Sequence, residues 1–125
     1  MKVETAEWVR KAEADWTAAK RLARGKTPLH DGVCFHCQQC VEKYLKGLLE
    51  ELAHPIPKIH DLDVILDRVE PNYSSLKSIR RGMSFLTQFS VAMRYPGFDA
   101  TRRQVKAALR WMERVRKDAR RLLAI

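Results

Sequence analysis

From Cys34 to Leu52 the chain reads CFHCQQCVEKYLKGLLEEL, and this stretch limits the possible fold more than any other. Cys37, Val41, Tyr44, Leu45, Leu48 and Leu52 recur every three or four residues, the spacing of one face of an α-helix. That face is a core stripe, and the rest of the chain has to cover it. Another face carries His36, Gln39, Lys43 and Lys46, a combination that a merely solvated helix does not need.

The cover comes in helical pieces with clear stops. A first helix is predicted from Thr5 to Arg24, with Trp8, Ala12, Trp16, Ala19 and Ala23 on its apolar face, Thr5 as its cap and Gly25 as its end. A turn with Pro28 follows. The central helix is predicted to begin at Asp31 or Gly32, with Asp31 as N-cap, and to run to Leu52 or Ala53. His54-Pro55-Ile56-Pro57 ends it, because a residue before proline is pushed out of the α region. A short helix opens at His60-Asp61, carries Leu62, Ile65, Leu66 and Val69 on one stripe, and stops at Pro71. A fourth helix, capped by Ser74 or Ser75, is predicted to continue to about Met93. Gly82 inside it costs about 1 kcal/mol relative to alanine. Arg94-Tyr95-Pro96-Gly97 breaks the chain again. A fifth helix is predicted from Thr101 to about Leu123, with Val105, Ala108, Leu109, Met112, Ala119, Leu122 and Leu123 near one face. Arg103, Lys106, Arg110, Lys117 and Arg121 fall near another. No strand and no internal repeat stands out. The expected architecture is all-α, an up-and-down bundle of four long helices plus one short helix, forming a single domain over residues 1–125.

The net charge of +9 is unevenly spread. Residues 101–125 hold nine Lys or Arg against Glu113 and Asp118, a net of +7, whereas residues 1–100 hold 15 against 13. The last helix therefore favours phosphate or acidic partners, unless its arginines simply form a solvated face. No apolar run approaches the roughly 20 residues that a membrane span needs. The N-terminus lacks a secretory pattern, so the expected compartment is the cytoplasm. Cys34, Cys37 and Cys40 form CxxCxxC, an odd count that argues against a disulfide framework. On one α-helix, Cys34 and Cys40 stand about 9 Å apart along the axis and about 240° apart around it. A tetrahedral zinc with Zn–S bonds of about 2.3 Å cannot gather both, so the cysteines read as small core residues and no metal site is expected.

Several chemistries leave no trace. There is no glycine-rich phosphate loop, no HExxH, no zinc-ribbon cysteine pair and no serine elbow, and no pair of carboxylates stands out as acid and base. No catalytic residue and no cofactor are expected. What remains is polar groups on helix faces and ends. His36, Gln39 and Lys43 line up along the central helix, and Lys46 extends the row. Lys43 could supply a point charge for phosphate, Arg94 a bidentate contact and Tyr95 a stacking surface for a base. His60-Asp61 and Arg94-Tyr95, at helix ends, would form a second wall facing the central helix. The plainer reading pairs Arg94 with Asp61 and makes His36 a satisfied core histidine.

FHCQQCVEKYLKGLL resembles the FHAQQAAEKALKALL-type helix of the HEPN family, the higher-eukaryote and prokaryote nucleotide-binding domain. His60-Asp61-Leu62 resembles that family's HDL turn, and Arg94-Tyr95-Pro96 resembles the RYP that closes its fourth helix. The resemblance spans residues 5–123, and Cys37 and Cys40 fall at positions that the family often fills with alanine. It implies the same bundle, usually as a homodimer. It also implies association with nucleotide or RNA, often beside a co-encoded minimal nucleotidyltransferase in a toxin–antitoxin or defence pair. Carried over residue by residue, the family positions are His36, Gln39, Glu42, Lys43 and Lys46, the turn His60 and Asp61, and the closing Arg94, Tyr95 and Pro96. The nucleotide-binding set expected here is His36, Gln39, Lys43, Lys46, His60, Asp61, Arg94 and Tyr95. The family's ribonuclease branch places a histidine four to six residues after an arginine. Here no histidine follows His60, so that motif is absent. Two other readings stay open, a divergent metal-independent endoribonuclease using His36 or His60 with Arg94, and a dimeric interaction protein without ligand.

Overall fold

The apolar spacing becomes helix throughout. The computed structural model describes residues Met1–Ile125 and contains α1 (Val3–Leu22), α2 (His30–Glu51), α3 (Leu62–Val69), α4 (Arg80–Leu86) and α5 (Arg102–Leu122), with 3₁₀ turns at Ser74–Ile79, Thr87–Ser90 and Ala92–Arg94 and no strand. α2 is the axis. It touches α1, α3, α4, α5 and the 3₁₀ turns that follow α4. It is therefore buried well beyond a single stripe, as a helix covered on several sides must be.

Contacts along α2 give the order of the bundle. Thr5 near the start of α1 reaches Glu51 at the end of α2, so α1 and α2 are antiparallel. They approach closely where Gly47 faces Trp8, whose Cβ would lie 3.3 Å from a methyl group added there. His60, just before α3, lies beside Gln38 and Glu42, and the chain then descends along α2. The α4 segment climbs back, with Ser84 on Asp63 and Arg80 on Asp67 and Glu70. α5 begins against Asp31 at the start of α2 and descends until Arg120 meets Tyr44. One contiguous core joins α2 to every other helix, and Cys34, Cys37 and Cys40 lie wholly inside it.

Asp61 and Thr101 follow the local rule for helix caps. Asp61 accepts from the Asp63 and Val64 backbone N–H groups and caps α3. Thr101 and Gln104 form a reciprocal capping box at the start of α5. Thr5 and Asp31 do not cap as the spacing predicted. α1 begins at Val3, and Thr5 is buried with its hydroxyl donating to Glu51 Oε1 at 2.9 Å. α2 begins at His30, and Asp31 Oδ1 accepts from the Ala100 N–H at 2.7 Å, anchoring the linker into α5. In both places a tertiary partner takes the side chain away from the local backbone.

The predicted fourth helix is broken. Ser78, Gln88 and Ser90 each donate to the carbonyl three residues back, at 3.1, 2.8 and 3.0 Å. Such bonds offer the carbonyls an alternative to the α ladder and favour tighter 3₁₀ turns. Thr87 turns its hydroxyl toward the α3 entrance, accepting from the Leu62 N–H at 3.1 Å. Gly82 is not merely tolerated in α4. The Trp111 ring of α5 lies so close that a methyl group at Gly82 would overlap it.

Candidate functional site

Helix α2 divides its polar residues between different neighbours. On the side toward α1, Asp15 is only 7% exposed, and its two oxygens take His36 Nδ1 at 2.8 Å and Lys43 Nζ. On the side toward α3, Glu42 is 4% exposed and Lys46 5%. Lys46 Nζ donates to Glu42 Oε2 at 3.0 Å, and His60 Nδ1 lies 3.0 Å from Glu42 Oε1. The fully buried Gln38 donates to Glu42 at 3.1 Å and to the His60 carbonyl at 3.2 Å, and accepts from Gln39 at 2.7 Å. Two charges buried this deeply cost several kcal/mol each unless paired and hydrogen-bonded. Here they are, and every buried side-chain polar atom has a partner.

The eight residues picked from the sequence therefore do not line one pocket. His36 and Lys43 belong to the Asp15 cluster. Lys46 and His60 belong to the Glu42 cluster, with Gln39 tied in through Gln38. Asp61 commits its carboxylate to the α3 cap. Arg94 and Tyr95 stand apart, at the end of the bundle where α2 begins. No cavity is walled by His60-Asp61 on one side and the α2 row on the other; Lys43 instead lines a shallow hollow with Glu7, Trp8 and Lys11. The reason is rotation about the α2 axis. His36 and Lys43 turn toward α1, whereas Glu42 and Lys46 turn toward the α3 entrance.

Arg94 is the member left free. The anticipated pair with Asp61 does not form, and no carboxylate lies within 4.0 Å of its guanidinium. The group stands 5.6 Å from the centre of the Phe35 ring, whose edge packs against His36 at 5.3 Å. Arg94, Met93, Phe35, Gly32 and Asp31 line a cavity of about 250 Å³. Beside it Tyr95 is 64% exposed, in the extended backbone that Pro96 demands. An exposed guanidinium, a phenol ring and a cavity with an aromatic floor can take a phosphate with a stacked base. The three thiols are no part of this. Burial pushes Cys34 up to about 12 and raises Cys37 and Cys40 as well.

Three residues of these clusters escaped the sequence reading. Asp15 falls among Ala12, Trp16 and Ala19, so a carboxylate on the core face of α1 was the available signal. Gln38 sits likewise between Cys34 and Val41 on the buried side of α2. Phe35 offered none, since an aromatic residue at a helix start reads as packing.

The fold places the chain among small all-α helical bundles. Residues 5–122 match the HEPN domain family, and the chain belongs to it. At family level this makes it a nucleotide- or RNA-related module. The fold is also that of TT1696 from Thermus thermophilus, whose crystal structure superposes with a TM-score of 0.83 at 18% sequence identity, covering 96% of this chain and 98% of that one. Comparison with curated protein sequences finds no match.

Proposed function

We propose that the protein is a binding module for a nucleotide or RNA, and that Arg94 makes the principal phosphate contact. The carrying observation is that Arg94 is exposed and free of any carboxylate beside a cavity floored by Phe35. The outer face of α5 supports the reading. Arg103, Lys106, Arg110 and Lys117 are exposed and take part in no ion pair, whereas Arg116 and Arg120 are occupied by Glu13. A row of free cations along one helix suits a phosphate backbone. His36, Gln39, Lys43 and Lys46 then hold α2 against its neighbours rather than touching the ligand, while the exposed His60 and Asp61 fix the α3 entrance. Within this reading the protein pairs as a homodimer and works beside a minimal nucleotidyltransferase in a toxin–antitoxin or defence pair, which the family resemblance supports. Titration of ATP, GTP and short RNA against wild type and Arg94→Ala tests the binding. Saturable binding that weakens about tenfold in the variant is expected. Absence of binding to all three, and to a co-encoded nucleotidyltransferase, would end the proposal.

One observation favours a second reading. The Asp15 carboxylate orients His36 through Nδ1, and Phe35 contacts both His36 and Arg94. A carboxylate-oriented imidazole near a free arginine suits metal-independent RNA cleavage. Incubation with labelled mRNA or tRNA decides it, since genuine cleavage must be lost in His36→Ala.

A further inference from the structure

We infer a second anion site, separate from Arg94, in the largest cavity of the bundle. It has a volume of about 540 Å³ and lies between the α1–α2 turn and the first two turns of α5. That is within the range of roughly 300–1,000 Å³ that small-molecule sites occupy. Lys26, His30, Arg102 and Lys106 line it, no carboxylate does, and Val105 and Leu109 give it an apolar floor. It shares no residue with the Arg94 cavity.

The charge here is uncompensated by the protein itself. Lys26, Arg102 and Lys106 make no ion pair, in a chain where Glu13, Glu42 and Asp118 each hold basic partners. α5 also has no acid in its first turn, where Arg102 and Arg103 sit. Cations at a helix N-terminus oppose the helix dipole and cost stability. Local rules broken together in one place, around a cavity of ligand size, point to an occupant that reverses the cost. Three cations and an imidazole over a small apolar floor fit a cluster of phosphate oxygens attached to a compact body. The site is therefore assigned to a polyphosphate group, carried either by a free nucleotide or by the phosphates of an RNA strand.

Inorganic tripolyphosphate is the probe, titrated by calorimetry against wild type, Arg102→Gln, Lys106→Gln and Lys77→Gln. Wild type should bind, each of the first two variants should bind about tenfold more weakly, and Lys77→Gln, which removes an exposed cation outside both cavities, should match wild type. The first two variants should melt no lower than wild type, because both side chains are exposed and Arg102→Gln removes a cation from the helix start. ATP and RNA with a 5′-triphosphate or a 5′-hydroxyl then separate the sources. Weakening confined to ATP and 5′-triphosphorylated RNA supports a terminal polyphosphate, and equal weakening of 5′-hydroxyl RNA supports backbone phosphates. Absence of tripolyphosphate binding, or binding unchanged by Arg102→Gln and Lys106→Gln, would overturn the site. An equal loss in Lys77→Gln would also overturn it, as the mark of general charge attraction rather than a site.

Discussion

Single side chains in this bundle are held by partners from other helices, and that makes some of them replaceable and others not. Gly82 is of the second kind. Its missing Cβ is the room that the Trp111 ring occupies. Helix propensity alone predicts that Gly82→Ala stabilises α4, whereas overpacking against an aromatic ring costs typically 1–3 kcal/mol. Chemical denaturation should show a loss of about 2 kcal/mol, and a gain would mean that Trp111 can move aside. Cys34, Cys37 and Cys40 are shielded rather than reactive, since burial raises all three and each is wholly enclosed. A thiol reagent should find almost no reactive group in the native protein and all three in denaturant. Rapid labelling of the native protein would contradict their burial. Arg94 contrasts with both, because it has no ion pair and only the Phe35 ring beside it.

At the scale of helices, existence was legible and local detail was not. The apolar repeats of α1, α2 and α5 survive because each helix has a core to face. Asp61 and Thr101 cap as their positions suggest, and Thr101→Ala should lower stability by about 1 kcal/mol in thermal melts. An unchanged melting curve would mean that the capping box contributes nothing. Thr5 and Asp31 obeyed the same sequence rule and were captured elsewhere, by Glu51 and the Ala100 N–H, neither of which is near in sequence. The break in the fourth helix has a similar origin, since Ser78, Gln88 and Ser90 bond their own turn and Thr87 bonds the entrance of α3. A further contact ties three helices together. Glu13 of α1 takes a two-pronged bond from Arg116 of α5, with both distances 2.7 Å, and a third from Tyr44 of α2. The Arg116 bonds hold the Glu13 carboxyl below its ordinary value of 4.5. A depressed folded-state value means that this contribution is present above the unfolded value and is lost as pH falls through the folded one. Wild type should therefore lose stability on acidification below about pH 5 more steeply than Glu13→Gln. Parallel acid limbs in urea titrations would contradict this.

Across the whole molecule, the polar row on α2 could be read as a row but not as a site. Its residues share a face in sequence, yet their partners come from α1 and from the α3 entrance, and only the folded chain assigns His36 and Lys43 to Asp15 and Lys46 and His60 to Glu42. Once those charges are matched, the unmatched ones stand out at the surface, with Arg94 at one end of the bundle and Arg103, Lys106, Arg110 and Lys117 along α5. No helix is long and apolar enough to cross a membrane. The account predicts a molecule that meets its partner through phosphate, with an inner set of ion pairs that holds α2 and an outer set of free cations that binds. The most direct test is the affinity of fluorescently labelled single-stranded RNA for wild type and Arg94→Ala over a series of salt concentrations. The account predicts that wild-type affinity falls steeply as salt rises, and that Arg94→Ala binds about tenfold more weakly with a shallower salt slope. Equal affinities with the same slope, or no salt-sensitive binding by wild type, would contradict it.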